Sequence, residues 1–449
     1  ELEDFIKPYT PEWAAEETGI PASEILEFTR EVAEAAPAVI FHPGWLTARY
    51  KDSFYASRTA YILNVLFGSL EAPGGLFFQK GPGDAGRKGL NALMDTIPKP
   101  EEKRVDGCGW KYKQFEAGPG LMQLFYKALL EEDPYPVKGY LVFRHDPLLS
   151  MPDPEAQKKA LDKLDLLVAI DANYSETAWY ADVLLPSATY LEKSSVLCTG
   201  KGLKPSFRMR EKAIEPHTSA KADWWIFKSL AERLGVGEYF KFDDVEDFWE
   251  FQLEGTGVTV EDIKKKGAFS LADKPIWWDR MKDLKFKTAS GKIELVSSHL
   301  TDCGLESFKP YERPEKPKEG TFRLAFGRSP VHTHGRTINN PYLHEIMPTN
   351  TLWINTEEAD KLGIKDKDQV KVTSADGSHS GTIQASVTDF IHPETVFMVH
   401  GFGRKIPWQT RGYNRGLGDY RFETGLLEVY DEAGGGIALL ECTVSVEPA

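Results

Sequence analysis

The sequence predicts an α/β fold in which parallel-sheet α/β domains are followed by a C-terminal closed β-barrel. Three observations predict it. The continuous apolar runs "YLVF" and "DLLVAI" alternate with helical stretches between residues 138 and 186, the pattern of strands buried on both faces of a parallel sheet. The stretch "KPYERPEKPKEG", Lys309 to Gly320, is rich in proline and charge and reads as a linker. Beyond it, short runs of alternating or β-branched residues replace the long helices.

In chain order, "PASEILEFTREVAEA" carries a helix, with Ser23 available as a cap and Ile25, Phe28 and Val32 on one face. Pro37 stops it, and "AVIFH" reads as a buried strand. A second helix runs from about Phe54 to Leu70, and "QKGPGDAGRKG" (Gln79 to Gly89) is a Gly-rich basic loop. "KGYLVFRHDP" is a strand ending in polar residues, followed by the helix "DPEAQKKALDKL"; "DLLVAIDANYSETAWYA" is another strand feeding a helix, and "DVLLP" a third strand. From about Lys221 to Lys266 the pattern is helical, and "FKTASGKIELVS" reads as a hairpin. After the linker, "FRLAFG", "TLWIN", "QVKVTS", "SGTIQASVT", "TVFMVHG" and "ALLECTVSV" read as barrel strands, interrupted by the helix "TEEADKLGI".

A length of 449 residues calls for two or three domains, and 41% apolar with 27% charged residues places the chain among folded proteins. A net charge of −14 argues against nucleic acid or an anionic membrane as the main partner. The four cysteines, Cys108, Cys198, Cys303 and Cys442, are scattered, with no CxxC pair to hold zinc or an iron–sulfur cluster. No apolar run reaches the length of a direct membrane span. The start, "ELEDFIKPYTPEW", has no Met and no signal-peptide pattern, and reads as the interior of a longer protein.

Parallel sheets bind ligands beyond the carboxyl ends of their strands, and four polar clusters fall at such ends. In "IDANYSET", Asp171 could accept two hydrogen bonds from a guanine edge with Ser175 beside it; equally, Ser175 could cap the helix and Asp171 be a solvated loop acid. In "FRHDP", Arg144, His145 and Asp146 could meet phosphate or ring heteroatoms, or simply form an Asp–Pro turn. "GRSPVHTHGRT" packs Gly327, Arg328, His332, Thr333 and His334 into one stretch. A metal would need further ligands that the local sequence lacks, so phosphate or a polar heterocycle fits better than a metal site. In "MVHGFGRK", His400, Gly401 and Gly403 could line a ligand approached closely by backbone, or form a Gly-rich turn.

Taken together and in this order, these stretches resemble the molybdopterin oxidoreductases of the dimethyl sulfoxide reductase superfamily. "IDANYSETAWYADVLLPSATYLEK" is similar to that family's most recognisable signature, and "TLWINTEEADKLGIKDKDQVKVTSADG" to a segment of its C-terminal barrel. "FRHDPLLSMPDPE" and "GRSPVHTHGRTINNPYLHE" look most like the catalytic subunits of polysulfide and thiosulfate reductases, with tetrathionate and arsenate reductases as near neighbours. The resemblance implies a barrel of the double-psi type and a bis-molybdopterin guanine dinucleotide cofactor carrying Mo or W. It implies Asp171 and Ser175 at one guanine, Arg144, His145 and Asp146 near phosphate or ring, and Gly327, Arg328, His332, Thr333 and His334 along pterin and pyrophosphate. His400, Gly401, Gly403 and Asn414 would follow a pterin.

Three domains are implied: residues 1–88 near a substrate funnel, 89–315 binding one dinucleotide on a parallel sheet, and 316–449 as a six-stranded cofactor-binding barrel. Arg49, in "HPGWLTARYKD", would be the catalytic cation polarising a sulfane chain, with Arg58 as competitor and a surface salt bridge as the plain alternative. The family's [4Fe–4S] motif and metal-ligating side chain are not visible, so the chain reads as a C-terminal portion. The implied partners are a small sulfur substrate, an iron–sulfur electron-transfer subunit and a membrane anchor subunit, on the periplasmic side of the membrane. Other superfamily reductases, a formate dehydrogenase, or a non-catalytic nucleotide-binding protein are the rival readings.

Overall fold

A computed structural model describes all residues except 45, 88, 89, 116, 117, 119 and 279–282. The last two residues of the Gly-rich loop therefore lie outside the described residues. In chain order the strands are β1 (Gly139–Phe143), β2 (Leu166–Asp171), β3 (Val183–Pro186), β4 (Cys198–Gly200), β5 (Ser206–Arg208), β6 (Ala268–Ser270), β7 (Thr321–Gly327), β8 (Leu352–Ile354), β9 (Gln369–Ser374), β10 (Ser380–Val387), β11 (Thr395–Val399) and β12 (Thr443–Pro448). By packing, the chain falls into two compact units, each drawn from three separated segments. One comprises Glu1–Pro43, Ser57–Glu102 and Pro186–Phe308; the other comprises Gly44–Ala56, Lys103–Leu185 and Lys309–Ala449.

The first unit contains the helices Ala22–Ala35, Asp223–Arg233, Val245–Leu253 and Val260–Lys266 and the antiparallel sheet β4-β5-β6. Leu197, Phe207, Trp249, Leu253 and Ile263 form its buried cluster. Three sequence expectations change here. Ser23 is not a cap, because the helix already begins at Ala22 with Pro21 before it. "AVIFH" is neither strand nor core: Ile40 is exposed, and both backbone groups of Phe41 are taken by the buried side-chain amide of Asn64 (3.0 and 2.7 Å) in place of a neighbouring strand. "FKTASGKIELVS" forms no hairpin ladder. The Glu294 carboxylate accepts the backbone N–H groups and hydroxyls of Ser290 and Ser298, and Arg58 donates to the carbonyls of Glu294, Leu295 and Ser307. Side chains thus take the groups a strand partner would need.

The second unit holds the sheet β1-β2-β3 and the closed barrel β10-β8-β11-β7-β12-β9. β1 and β2 are parallel, with Phe143 opposite Ile170. Tyr126, Leu129, Leu148 and Leu161 pack against Val142 of β1 and Leu167 of β2. In the barrel, β9 and β10 are antiparallel, but β11 runs parallel to β7, with Val399 opposite Gly327. Alternate residues of β7 and β9 point inward, and Leu324, Leu352, Val370, Val372, Val396, Met398 and Val444 fill the interior. The linker from Lys309 carries no regular structure before β7, as its composition predicts.

Candidate functional site

Two parallel strand pairs position the site. Parallel neighbours finish at the same edge, so the chain leaving each strand of a pair emerges beside the other. Arg144 leaves β1 next to the end of β2, its N–H on the carbonyl of Ile170 (3.2 Å). The segment after β7 leaves beside the segment after β11, and the N–H of His400 bonds to the Gly327 carbonyl (2.9 Å). Arg49 and the fourteen candidate cofactor-binding residues lie in this second unit; the competitor Arg58 does not.

Asp146 and Arg404 tie the two edges together. The Asp146 carboxylate accepts from the N–H and hydroxyl of Thr177 (both 2.9 Å) and from the N–H of Glu176 (3.3 Å), bracing the helix that starts after β2. It also meets Arg404 Nη1 at 3.3 Å, while Arg404 Nη2 donates to the Gly335 carbonyl (2.7 Å). Glu176 returns the link by accepting the N–H of Lys405 (2.9 Å), and Gln409 donates to the Tyr174 carbonyl. Asp146 is therefore committed to protein groups.

At the β2 edge, Asp171 accepts from the N–H of Ala172 (2.7 Å), and burial raises its carboxyl above the ordinary range against the lowering effect of a Ser175 hydrogen bond. Ser175 does cap its helix, accepting from the N–H of Ala178 (3.1 Å). At the β1 edge, Arg144 is exposed with φ +53°, and His145 contacts the Ser150 hydroxyl at 3.4 Å while burial lowers its pKa.

The two histidines of "HTH" part company. His332 is buried, with Nε2 donating to the Met347 carbonyl (2.8 Å), Nδ1 against the Thr337 hydroxyl (3.4 Å) and its ring edge-on to Phe402. Both nitrogens are engaged, so His332 shapes the loop and does not offer a donor to a ligand. An HxH pair shares a face on a strand, but this pair lies beyond β7, and His334 has φ +51°. His334 is half-buried, with its ring 5.8 Å from that of His400. Burial, then His400, Arg328, Arg49 and Arg336, lower its pKa and favour the neutral ring. Thr333 is exposed, its N–H bonded to the Thr337 hydroxyl.

Gly401 and Gly403 serve a different contact from the one expected. With φ +97° and +77°, a side-chain carbon on either would fall 2.5 Å from the Gly335 nitrogen or 2.4 Å from the Gly418 nitrogen. The close approach they permit is to the protein's own backbone: at Gly401 it joins the β11 segment to the β7 segment, and at Gly403 it folds the β11 segment against itself. Asn414, exposed at φ +53°, accepts from Lys405 Nζ (2.9 Å).

Arg49 lies at the end of the short helix Leu46–Arg49, its guanidinium 5.0 Å from the centre of the Phe326 ring. Its charge acts on His334, His400 and Glu423. Arg58 belongs to the first unit, where carbonyls occupy it. Sequence reading missed Arg404, Glu176, Asp419 and Glu423. Glu176 and Arg404 stood inside quoted motifs without a bracing role, and nothing in "GLGDYRFE" announces that its two acids are buried.

Arg49, Arg328 and Arg336 thus stand near His334 and His400, and Asp171 ends the β2 edge that Asp146 and Arg404 tie to them. Such a donor set suits a phosphorylated heterocycle better than a bare metal, and no metal-holding cluster of three His, Cys, Asp or Glu occurs among the described residues. The chain belongs to the molybdopterin oxidoreductases. It matches the family described as molybdopterin oxidoreductase over residues 38–233, and the molydopterin dinucleotide binding domain over residues 322–420.

Among characterised relatives, it is similar to the thiosulfate reductase molybdopterin-containing subunit of Salmonella typhimurium, 32% identical over 93% of this chain and 59% of that one. It is also similar to a formate dehydrogenase alpha subunit of Methanocaldococcus jannaschii, 29% identical over 90% of this chain and 60% of that one. The chain thus spans about three fifths of the length of these relatives. The solved structure of acetylene hydratase from Pelobacter acetylenicus shares the fold, with a TM-score of 0.81 at 21% identity, covering 100% of this chain and 66% of that one.

Proposed function

We propose that this chain is the dinucleotide-gripping part of a molybdenum-dependent catalytic subunit that holds two molybdopterin guanine dinucleotides and reduces a sulfur–sulfur bond in polysulfide or thiosulfate. The observation that supports it best is the convergence of two parallel-strand edges on one cation-lined surface, braced by Arg404 between Asp146 and Gly335. The 32% identity to a thiosulfate reductase subunit supports the choice of substrate. For thiosulfate, two electrons and one proton give hydrosulfide and sulfite.

Bound there, the cofactor supplies the two-electron chemistry. The chain's own groups bind and orient. Asp171 accepts the guanine edge, with Ser175 holding the helix start beside it. Arg328 and the neutral ring of His334 face pyrophosphate and pterin, His400 stands next to them, and Arg144 and His145 flank the β1 edge. Arg49 draws an anionic sulfur chain and stabilises charge as the bond opens. Residues 316–449 act as the cofactor-binding barrel, 89–315 as the sheet domain and 1–88 as the funnel side. An iron–sulfur subunit and a membrane anchor at the periplasmic face would complete the assembly, and electrons would come from a [4Fe–4S] cluster held outside the residues of this chain. No helix among the described residues is long and apolar enough to cross a membrane.

The test is metal and nucleotide analysis of the complete native polypeptide, followed by turnover. The expected result is about one molybdenum and two guanine nucleotides per chain, with reduction of thiosulfate or polysulfide. Guanine nucleotide without metal transfers the assignment to a non-catalytic nucleotide-binding protein, and absence of both refutes the cofactor reading. The formate dehydrogenase likeness supports a second reading: turnover of formate alone, with no sulfur compound reduced, transfers the assignment to it. Asp171→Asn lowers guanine-nucleotide affinity by about ten- to a hundredfold, the loss expected for a charged acceptor.

A further inference from the structure

Three exposed aromatic side chains meet where the β2 segment touches the β11 segment, and the roles assigned so far use none of them. Tyr174, Trp179 and Trp408 are 37%, 47% and 66% exposed. Tyr174 and Trp179 follow Asp171 in the chain after β2, and Trp408 comes from the segment after β11. The Tyr174 ring centre lies 5.2 Å from that of Trp408 and 5.9 Å from that of Trp179. A single exposed aromatic is ordinary, but rings in contact, drawn from two distant segments, make an apolar patch that marks a binding surface.

The patch is held in place by the protein itself. Trp408 stands between buried Ile406 and Gln409; the Gln409 amide donates to the Tyr174 carbonyl, and the N–H of Lys405 donates to Glu176 (2.9 Å). Rings that keep their place before a ligand arrives lower the cost of binding it. The acid at the start of the same loop supplies the polar half of the site. Asp171 Oδ1 accepts the N–H groups of Ala172 (2.7 Å) and Asn173 (3.4 Å), and a carboxylate, with about four lone-pair sites, has room for donors from outside. A flat ring with two adjacent N–H donors on its edge suits both features: the edge meets the acid and the face meets the aromatics. Guanine carries that pair in N1–H and N2–H, whereas adenine has an acceptor beside its amine.

We propose that Trp408 and Tyr174 form the stacking face for the guanine base whose edge Asp171 takes, with Trp179 backing Tyr174. A base held at the β2 edge then rests on a side chain of the β11 segment. The inference depends on the cofactor reading of this site and adds to it the residues that hold the base by its face.

The experiment is titration of GMP, IMP and CMP, followed by calorimetry and tryptophan fluorescence, into the complete native polypeptide produced in cells that make no molybdopterin. IMP lacks the N2 amine, and CMP lacks the second ring. The native protein should prefer GMP to IMP and either to CMP, with its emission quenched as GMP binds. Trp408→Ala, at an exposed position that leaves the core intact, should weaken GMP and IMP alike by about ten- to a hundredfold, the range for one base on an aromatic side chain. Trp408→Phe keeps a ring, so affinity should return to within about threefold of native while the quench diminishes. Asp171→Asn should instead narrow the preference for GMP over IMP. A Trp408→Ala protein that binds both purines within about twofold of native overturns the stacking face and leaves the patch to a protein partner; a GMP preference that persists in it leaves the role of Asp171 standing. A folded native polypeptide that binds none of the three sinks the cofactor reading and the stacking face together.

Discussion

Arg404→Met should loosen the junction between the two strand edges without unfolding either. Arg404 is buried and makes one short bond, to the Gly335 carbonyl (2.7 Å), and one long one, to Asp146 (3.3 Å). Hydrogen bonds involving a charged group contribute about 1.5–3 kcal/mol each, the long one falling at the weak end. Against this, Arg404 Nε is buried with no partner, which already costs about 1–3 kcal/mol that the substitution recovers. Asp146 is not stranded, because Thr177 and Glu176 still donate to it, so the loss stays below the roughly 3–5 kcal/mol of a broken buried pair. The net centres on about 2 kcal/mol. Read by hydrogen–deuterium exchange, this is a roughly thirtyfold faster opening in peptides spanning 332–338 and 400–406, with the barrel strands unchanged. Exchange in those peptides within about twofold of the native protein would show that Arg404 does not brace the site.

Three further outcomes are expected. Gly401→Ala, placing a carbon 2.5 Å from the Gly335 nitrogen at φ +97°, destabilises by more than about 2 kcal/mol; an unchanged thermal midpoint contradicts the close approach. The His400–Asp419 pair gives a pH-dependent stability. The folded pKa of His400 is raised, so the contribution is complete below its ordinary value of 6.5 and is lost as pH rises through the folded value. Asp419→Asn should flatten that dependence in melts recorded from pH 6.5 upward, and a slope that survives refutes the pairing. Alkylation at mildly alkaline pH should label exposed Cys198 and spare Cys108, whose thiol burial raises to about 11; equal labelling by mass spectrometry contradicts the burial.

The barrel was legible because its pattern is local. In β7 every second residue is apolar and inward, and in β9 Val370 and Val372 follow the same period, so period and burial coincide and the strand runs could be read directly. Where a side chain replaced a strand partner, the same reading failed. Asn64 at Phe41, and Glu294 with Arg58 in "FKTASGKIELVS", satisfy backbone groups from positions that no local pattern relates. The HTH spacing would put both rings on one face only on a strand; beyond β7, His332 is locked to Met347 and His334 faces His400.

By itself, the sequence determined the order of elements, the apolar strands that form the sheet and barrel, the strand-end positions of the polar clusters, and the signature segments that mark the family. Those properties depend on residue type and short-range period. Only the tertiary structure decided that residues 44–56 join the barrel's unit, that Arg404 bridges Asp146 to Gly335, that glycines 401 and 403 seat backbone on backbone, and that Asp419 and Glu423 are buried behind His400. Each depends on groups distant in the chain sharing one dry volume, where desolvation and pairing set what an ionisable side chain can do.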